Sequence, residues 1–255
     1  MIRYEVSQSR ATIRIDDPER RNPLSVEAMA ALADATRRAL DDDEVKVMVY
    51  TGAGTAAFSA GGDLAAGFID EPVGLHRSRG ALADLFRLMV RGGKPTVARV
   101  NGHALAGGFG LAVACDVVIC VDDAKLGTPE IGVGLWPMMI SAVLLRSMPQ
   151  KAVLDLMMTG RLITPEEANR LGAVSRVVER SALDATVDEV VDTLASQSSA
   201  ILELGRDSFY AVADLGFDAA LDRLQAGLTA VALTDDSREG VAAFLEKRPP
   251  VWSQR

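Results

Sequence analysis

The sequence predicts an α/β core followed by a helical C-terminal part, and three observations carry that expectation. Up to about Ile140, segments of period two alternate with segments of helical period. From Ser141 onward the pattern is almost wholly helical, and strands interleaved with helices, then helices alone, give this architecture. The chain has 255 residues, 49% hydrophobic and 24% charged, an ordinary globular profile. A chain of this size buries roughly 75% of its unfolded surface, so it needs neither disulfide nor metal to fold.

Each element follows from local chemistry. Ala11–Ile15 alternates and reads as a strand, and Asn22-Pro23 is a turn signal. A helix starts at Ser25, a good N-cap, with Leu24 and Met29 placed as a hydrophobic staple. Met29, Leu32, Ala33, Thr36 and Leu40 form its apolar face, and Asp41-Asp42-Asp43 closes it. Val45–Tyr50 reads as a strand and Thr51–Gly62 as a glycine-rich loop. Ala81–Val90 is helical until Lys94-Pro95 breaks it, and Thr96–Val100 is a strand. Asn101–Gly107 is a second loop, Gly108–Ala114 a short apolar helix and Val117–Val121 a buried strand. Thr164-Pro165-Glu166-Glu167 is a capping box with proline at the first helical position. Ala182–Leu194, Ala200–Leu215 and Phe217–Ala232 are helices.

The net charge of −8 argues against nucleic acid as the main partner, because phosphate-backbone binding needs a basic field. The N-terminal segment lacks the apolar core of a signal peptide. The longest apolar stretch, Ala104 to Val121, is interrupted by Asp116 and loosened by glycines, so no membrane span is expected. Cys115 and Cys120 have neither metal nor redox spacing and read as buried packing residues. A cytoplasmic location is the expectation.

The two glycine-rich loops carry the candidate chemistry. One runs from Thr51 to Leu64, through Gly61-Gly62-Asp63-Leu64; the other runs from Asn101 to Gly110. Glycines let backbone N–H groups approach a ligand, and the second loop opens a helix whose positive end would face the same spot. Two such loops could converge on one developing oxyanion. They could equally serve turns and close packing alone. Gly52-Ala53-Gly54-Thr55-Ala56-Ala57 also fits the dinucleotide pattern G-x-G-x-x-A, although that pattern needs a continuous helix next.

Four blocks together resemble the crotonase (enoyl-CoA hydratase/isomerase) superfamily: Arg21-Asn22-Pro23-Leu24-Ser25; Phe58-Ser59-Ala60-Gly61-Gly62-Asp63-Leu64; Asn101–Cys115 with Asp116; and Thr159-Gly160-Arg161 followed by Glu166-Glu167-Ala168 and Leu171-Gly172. The resemblance covers nearly the whole chain. It implies a spiral of ββα units over residues 1–195 and a helical assembly region over 196–255, in a homotrimer or a dimer of trimers. It implies an acyl-CoA thioester as substrate, with no cofactor beyond the coenzyme A that the substrate carries. It puts the two oxyanion donors on the N–H groups of Gly62 and Gly107, and it has Ala60, Asp63, Leu64 and Ala65 line the CoA channel.

Many hydratases of that superfamily use two glutamates. Thr128-Pro129-Glu130-Ile131 resembles the second of those loops and puts an acid/base at Glu130; the first glutamate's position is Gly110 here. Glu130 lies among Gly127, Pro129, Ile131 and Val133, where an apolar pocket would raise its pKa; otherwise it is a solvated side chain after a proline turn. A single carboxylate suits 3,2-double-bond isomerisation, while hydration of a 2-enoyl-CoA would need another group to hold water. Either belongs to fatty-acid type metabolism. Subclasses with an acid eight residues past Glu130 are set aside, because that residue is Met138. His103 reads as a packing or loop hydrogen-bonding residue and His76 as solvated. Trp136, Met138 and Met139 either shape an acyl pocket or pack, and Arg20 and Arg21 are candidates for the CoA phosphates by proximity. A catalytically silent acyl-CoA-binding protein is the alternative of another class, and a nucleotide-dependent dehydrogenase a more remote one.

Overall fold

The computed structural model describes residues 1–63 and 72–253. The chain opens with β1 (Ile2–Ser7) and β2 (Arg10–Ile15), an antiparallel hairpin with Ser7 opposite Arg10. Its two turn residues, Gln8 and Ser9, have φ of 49° and 63°, as a two-residue turn matching strand twist requires. β2 alternates as the sequence says, with Ala11, Ile13 and Ile15 buried. After β3 (Pro23–Leu24) comes α1 (Val26–Asp41). Ser25 caps α1 by accepting from the Ala28 N–H, and both staple residues, Leu24 and Met29, are buried.

The rest of the core repeats one plan. β4 (Val47–Gly52), β7 (Thr96–Val100) and β9 (Val117–Val121) pair in parallel inside a sheet ordered β1-β2-β4-β7-β9 and then β12 (Arg176–Val178). Each is followed by a short strand of a second sheet: β5 (Ala57–Ser59), β8 (His103–Leu105) and β10 (Leu126–Gly127). β6 (Gly61–Gly62) pairs with β3. Helices then return the chain: α2 (Pro72–Arg91), α3 (Gly107–Val113), and α4 (Met138–Ser147) with α5 (Gln150–Thr159). This is a spiral of ββα units. All six β4 residues are buried, as expected of a parallel strand covered on both faces. Tyr50 of β4 and Thr36 of α1 share a buried hydrogen bond of 2.8 Å.

After β11 (Leu162–Ile163) and α6 (Pro165–Arg170, capped by Thr164), β12 returns to the first sheet beside β9. Four helices complete the chain: α7 (Leu183–Ala195), α8 (Ser199–Val212), α9 (Phe217–Leu233) and α10 (Asp235–Glu246). α8 is tied to the sheet through Asp116, at the start of β9. One carboxylate oxygen accepts from the Thr96 N–H at 2.7 Å, the Thr96 hydroxyl at 2.9 Å and Arg206 Nε at 2.8 Å; the other accepts from the Tyr210 hydroxyl at 2.6 Å. Among the described residues, no helix is long and apolar enough to cross a membrane.

Three expectations are corrected. The Thr51–Gly62 and Asn101–Gly107 loops contain β5, β6 and β8, two- and three-residue strands too short to show a period. The stretch after Ser141 is not helical throughout, since β11 and β12 interrupt it. The strand expected at Val45–Tyr50 lies at Val47–Gly52, in register with β2 from Arg10↔Val47 to Ile15↔Gly52.

Candidate active site

The second sheet gathers the candidate residues. β5, β8 and β10 pair in parallel, so the segments that follow them leave from one end of the sheet. These segments are Ala60–Asp63 after β5, Ala106-Gly107 after β8, and Thr128-Pro129-Glu130 after β10. Ligand sites in parallel sheets form outside this carboxyl end.

The first segment is held by β3. The Ala60 N–H donates to Arg21 O at 2.9 Å and the Asp63 N–H to Leu24 O at 3.4 Å. Leu24 is paired with Gly62. In a parallel ladder the amides flanking a paired residue carry the bonds, so the Gly62 N–H faces away from β3. Gly62 is exposed, and Gly107 is partly exposed. The two segments touch. Gly61 has φ of +90°, and a Cβ there would lie 2.6 Å from the Ala106 methyl and 3.2 Å from the Gly107 nitrogen. Only glycine fits this approach. Ala106 itself adopts φ 52°, ψ −127°, a strained conformation for a residue with a side chain. Its N–H donates to Gly127 O at 2.9 Å, which fastens the second segment to the strand that leads to Glu130.

Two buried asparagines clamp the first loop. Asn22, fully buried with φ 55°, donates to Ala53 O at 3.0 Å and Ala57 O at 2.8 Å, and accepts from the Asp17 N–H at 3.0 Å. Asn101 donates to Gly54 O at 2.8 Å and Ala57 O at 3.2 Å, and accepts from the Gly52 N–H at 3.1 Å. Their roles did not follow from the sequence, although asparagine tolerates the left-handed backbone that Asn22 adopts. Asn22→Ala leaves the Ala53 carbonyl and the Asp17 amide without partners and the Ala57 carbonyl with Asn101 alone. It should cost about 3 kcal/mol, read as a lower denaturant midpoint at unchanged m-value.

Glu130 lies on a turn of 3-10 helix, Pro129–Val133, closed by Gly134 in the left-handed region. It is half-buried, and its Oε2 is fully enclosed with no hydrogen-bond partner. Burial raises its pKa above the ordinary value of 4.5, against the opposing pull of its own backbone N–H. A buried carboxylate oxygen left unpaired is costly, and that is the arrangement a proton-transfer group needs.

Gly110 is buried one helical turn beyond Gly107. A Cβ there would collide with Ile140 on the first turn of α4, coming within 2.6 Å of the Ile140 Cβ. The position expected to hold a second acid in many relatives is therefore filled by Ile140, itself buried.

The remaining candidates fall as follows. The Asp63 side chain is nearly buried and pairs with Arg20 at 3.0 Å, while Arg20 also holds Asp17 at 2.9 Å. Arg21 is exposed, and Leu64 and Ala65 lie outside the described residues. His103 Nδ1 accepts from the Lys125 N–H at 3.0 Å, a loop hydrogen bond, and His76 is exposed. Trp136 and Met138 are exposed, whereas Met139 packs against the core. Cys115 and Cys120 are buried free thiols, and burial pushes the Cys120 thiol up to about 12. Gly52–Ala57 leads into β5 rather than a helix, so the dinucleotide pattern lacks the helix that would bind pyrophosphate.

Over residues 5–255 the sequence matches the family described as enoyl-CoA hydratase/isomerase. A putative enoyl-CoA hydratase of Thermus thermophilus is 39% identical over 246 residues, covering 94% of this chain and 96% of that protein. A carnitinyl-CoA dehydratase of Salmonella typhimurium is 32% identical over 248 residues, covering 95% and 94%. The crystal structure of an enoyl-CoA hydratase from Mycobacterium smegmatis superposes with a TM-score of 0.94 at 29% identity, over 98% of each chain.

Proposed function

Since the chain belongs to the enoyl-CoA hydratase/isomerase family, whose members act on acyl-CoA thioesters, we propose that it forms the enolate of such a thioester with Glu130 as its acid/base. The observation that carries this is the enclosed, unpartnered Oε2 of Glu130, on a segment leaving the same sheet end as Gly62 and Gly107. The thioester oxygen takes the two N–H groups of Gly62 and Gly107, each contributing about 3 kcal/mol as charge grows on it. Glu130 removes or returns the proton on carbon. The reaction is hydration of a 2-enoyl-CoA or 3,2-double-bond isomerisation, of fatty-acid type. It needs no cofactor beyond the coenzyme A of the substrate, whose channel would run past Ala60, Asp63, Leu64 and Ala65.

A silent acyl-CoA-binding protein would gain nothing from an unpaired buried carboxylate, which costs stability. We read residues 196–255 as the assembly region of a homotrimer or dimer of trimers. Phe209, Phe217, Leu228, Phe244 and Leu245 on α8–α10 are exposed by 69–82%, an apolar surface of the kind that marks interfaces. The free thiols suit a reducing cytoplasm.

The test is a panel of 2-enoyl- and 3-enoyl-CoA thioesters with products identified by mass. Turnover of at least one is expected, and inertness towards both classes would leave only the binding role.

A further inference from the structure

We propose that Ile140 is a specificity-determining residue: it fills the space beside Gly110, limits the pocket to one carboxylate and so selects proton relocation over water addition. This rests on the reading of Glu130 as the acid/base.

The geometry has three parts. Gly110 follows Gly107 by three residues in α3, so a side chain there would stand on nearly the same helix face as the proposed Gly107 donor. Ile140 lies on the first turn of α4, which packs against α3 and follows the segment that carries Glu130 in the chain. Its branched side chain occupies the volume that even a methyl at 110 would need. A carboxylate at 110 is excluded by packing, so the chain does not merely lack the acid; it has closed the place for it. Closing it with an apolar group also removes the polar partners by which a water would be held for attack, since an ordered water needs two to four of them.

What remains is a reaction one carboxylate completes alone. Glu130 takes a proton from C2 of a 3-enoyl thioester, and the C2–H electron pair enters a dienolate with its charge on the thioester oxygen. The same proton returns to C4. The C2–H bond breaks, a C4–H bond forms, the double bond moves from C3–C4 to C2–C3, and nothing is oxidised or reduced. Addition of water needs a second group to deprotonate the nucleophile while the α-carbon is protonated.

The experiment supplies the full-length protein with 3-enoyl-CoA and 2-enoyl-CoA separately and weighs the products. The wild type should isomerise the first without mass change and add water to the second at least about a hundredfold more slowly. Gly110→Glu combined with Ile140→Ala should raise the rate of water addition by at least about tenfold, whereas Ile140→Ala alone, which opens the space without supplying an acid, should not. A wild type that adds water as fast as it isomerises overturns the inference, as does a folded double variant with no gain. Should the double variant fail to fold, the wild-type product ratio decides. Isomerisation at wild-type rate by Glu130→Gln would sink the reading of Glu130 itself. Its loss in that variant, together with water addition by the wild type, would sink only the role of Ile140.

Discussion

Glu130→Gln should lower kcat on the best enoyl-CoA substrate by about a thousandfold while leaving the Kd of a CoA ester within about threefold. Glutamine matches glutamate in shape, so the turn Pro129–Val133 and its closing bond from the Leu135 N–H to Glu130 O at 3.0 Å are preserved. What is lost is the oxygen that can hold a proton. Isothermal titration and steady-state kinetics on the same preparation separate the two effects. The pH dependence follows from the same burial. The base form must be ionised, so the acid limb of kcat/KM in the wild type should lie above pH 4.5, and it should vanish in the variant. Stability moves the other way. A carboxyl whose pKa is raised on folding binds its proton more tightly in the native state, so wild-type stability falls as pH rises from 4.5 through the raised value. Glu130→Gln should therefore be at least as stable as the wild type at pH 7, with the advantage gone below pH 4.5. A destabilised variant at pH 7 would mean that Glu130 serves the fold.

Gly61→Ala should lower kcat by about a hundredfold and stability by roughly 2–5 kcal/mol. The new methyl meets Ala106 Cβ at 2.6 Å and Leu105 O at 2.9 Å, and φ of +90° disfavours any side chain. Neither neighbour can yield easily. Ala106 is fixed by its bond to Gly127, and Leu105 belongs to β8, which pairs with β10. The segment carrying Gly62 must therefore move away from the one carrying Gly107. A displacement of about 1 Å between two proposed donors is enough for a loss of this size. Thermal melts show whether the protein is still folded, and the fall in kcat relative to KM shows whether the donors or the binding surface moved.

What could be read from the sequence was set by local rules. The bounds of β7 and β9, the Ser25 cap and the helices α7 to α9 follow from period, capping and composition within one segment. The strands β5, β6 and β8 did not, because two or three residues carry no period and form only against partners far away in the chain. β1 alternates as β2 does, with Ile2, Tyr4 and Val6 between polar residues, but the turn that joins them, Gln8-Ser9, carries no glycine to mark a hairpin. The site divides the same way. Glu130, Gly62 and Gly107 were nominated by motif, and the parallel pairing of β5, β8 and β10 explains why such distant segments leave together. The clamps by Asn22 and Asn101, and the filling of Gly110 by Ile140, depend on contacts 30 to 49 residues apart, and a pattern along the chain does not encode them.

The central claim is that a thioester becomes an enolate here, with its charge held by two backbone amides and its proton on Glu130. A saturated acyl-CoA in deuterated buffer tests this without requiring any later step. Mass spectrometry should find deuterium entering the α-carbon with the wild type and not with Glu130→Gln. An α-carbon that exchanges no faster with the enzyme than in buffer would contradict the account.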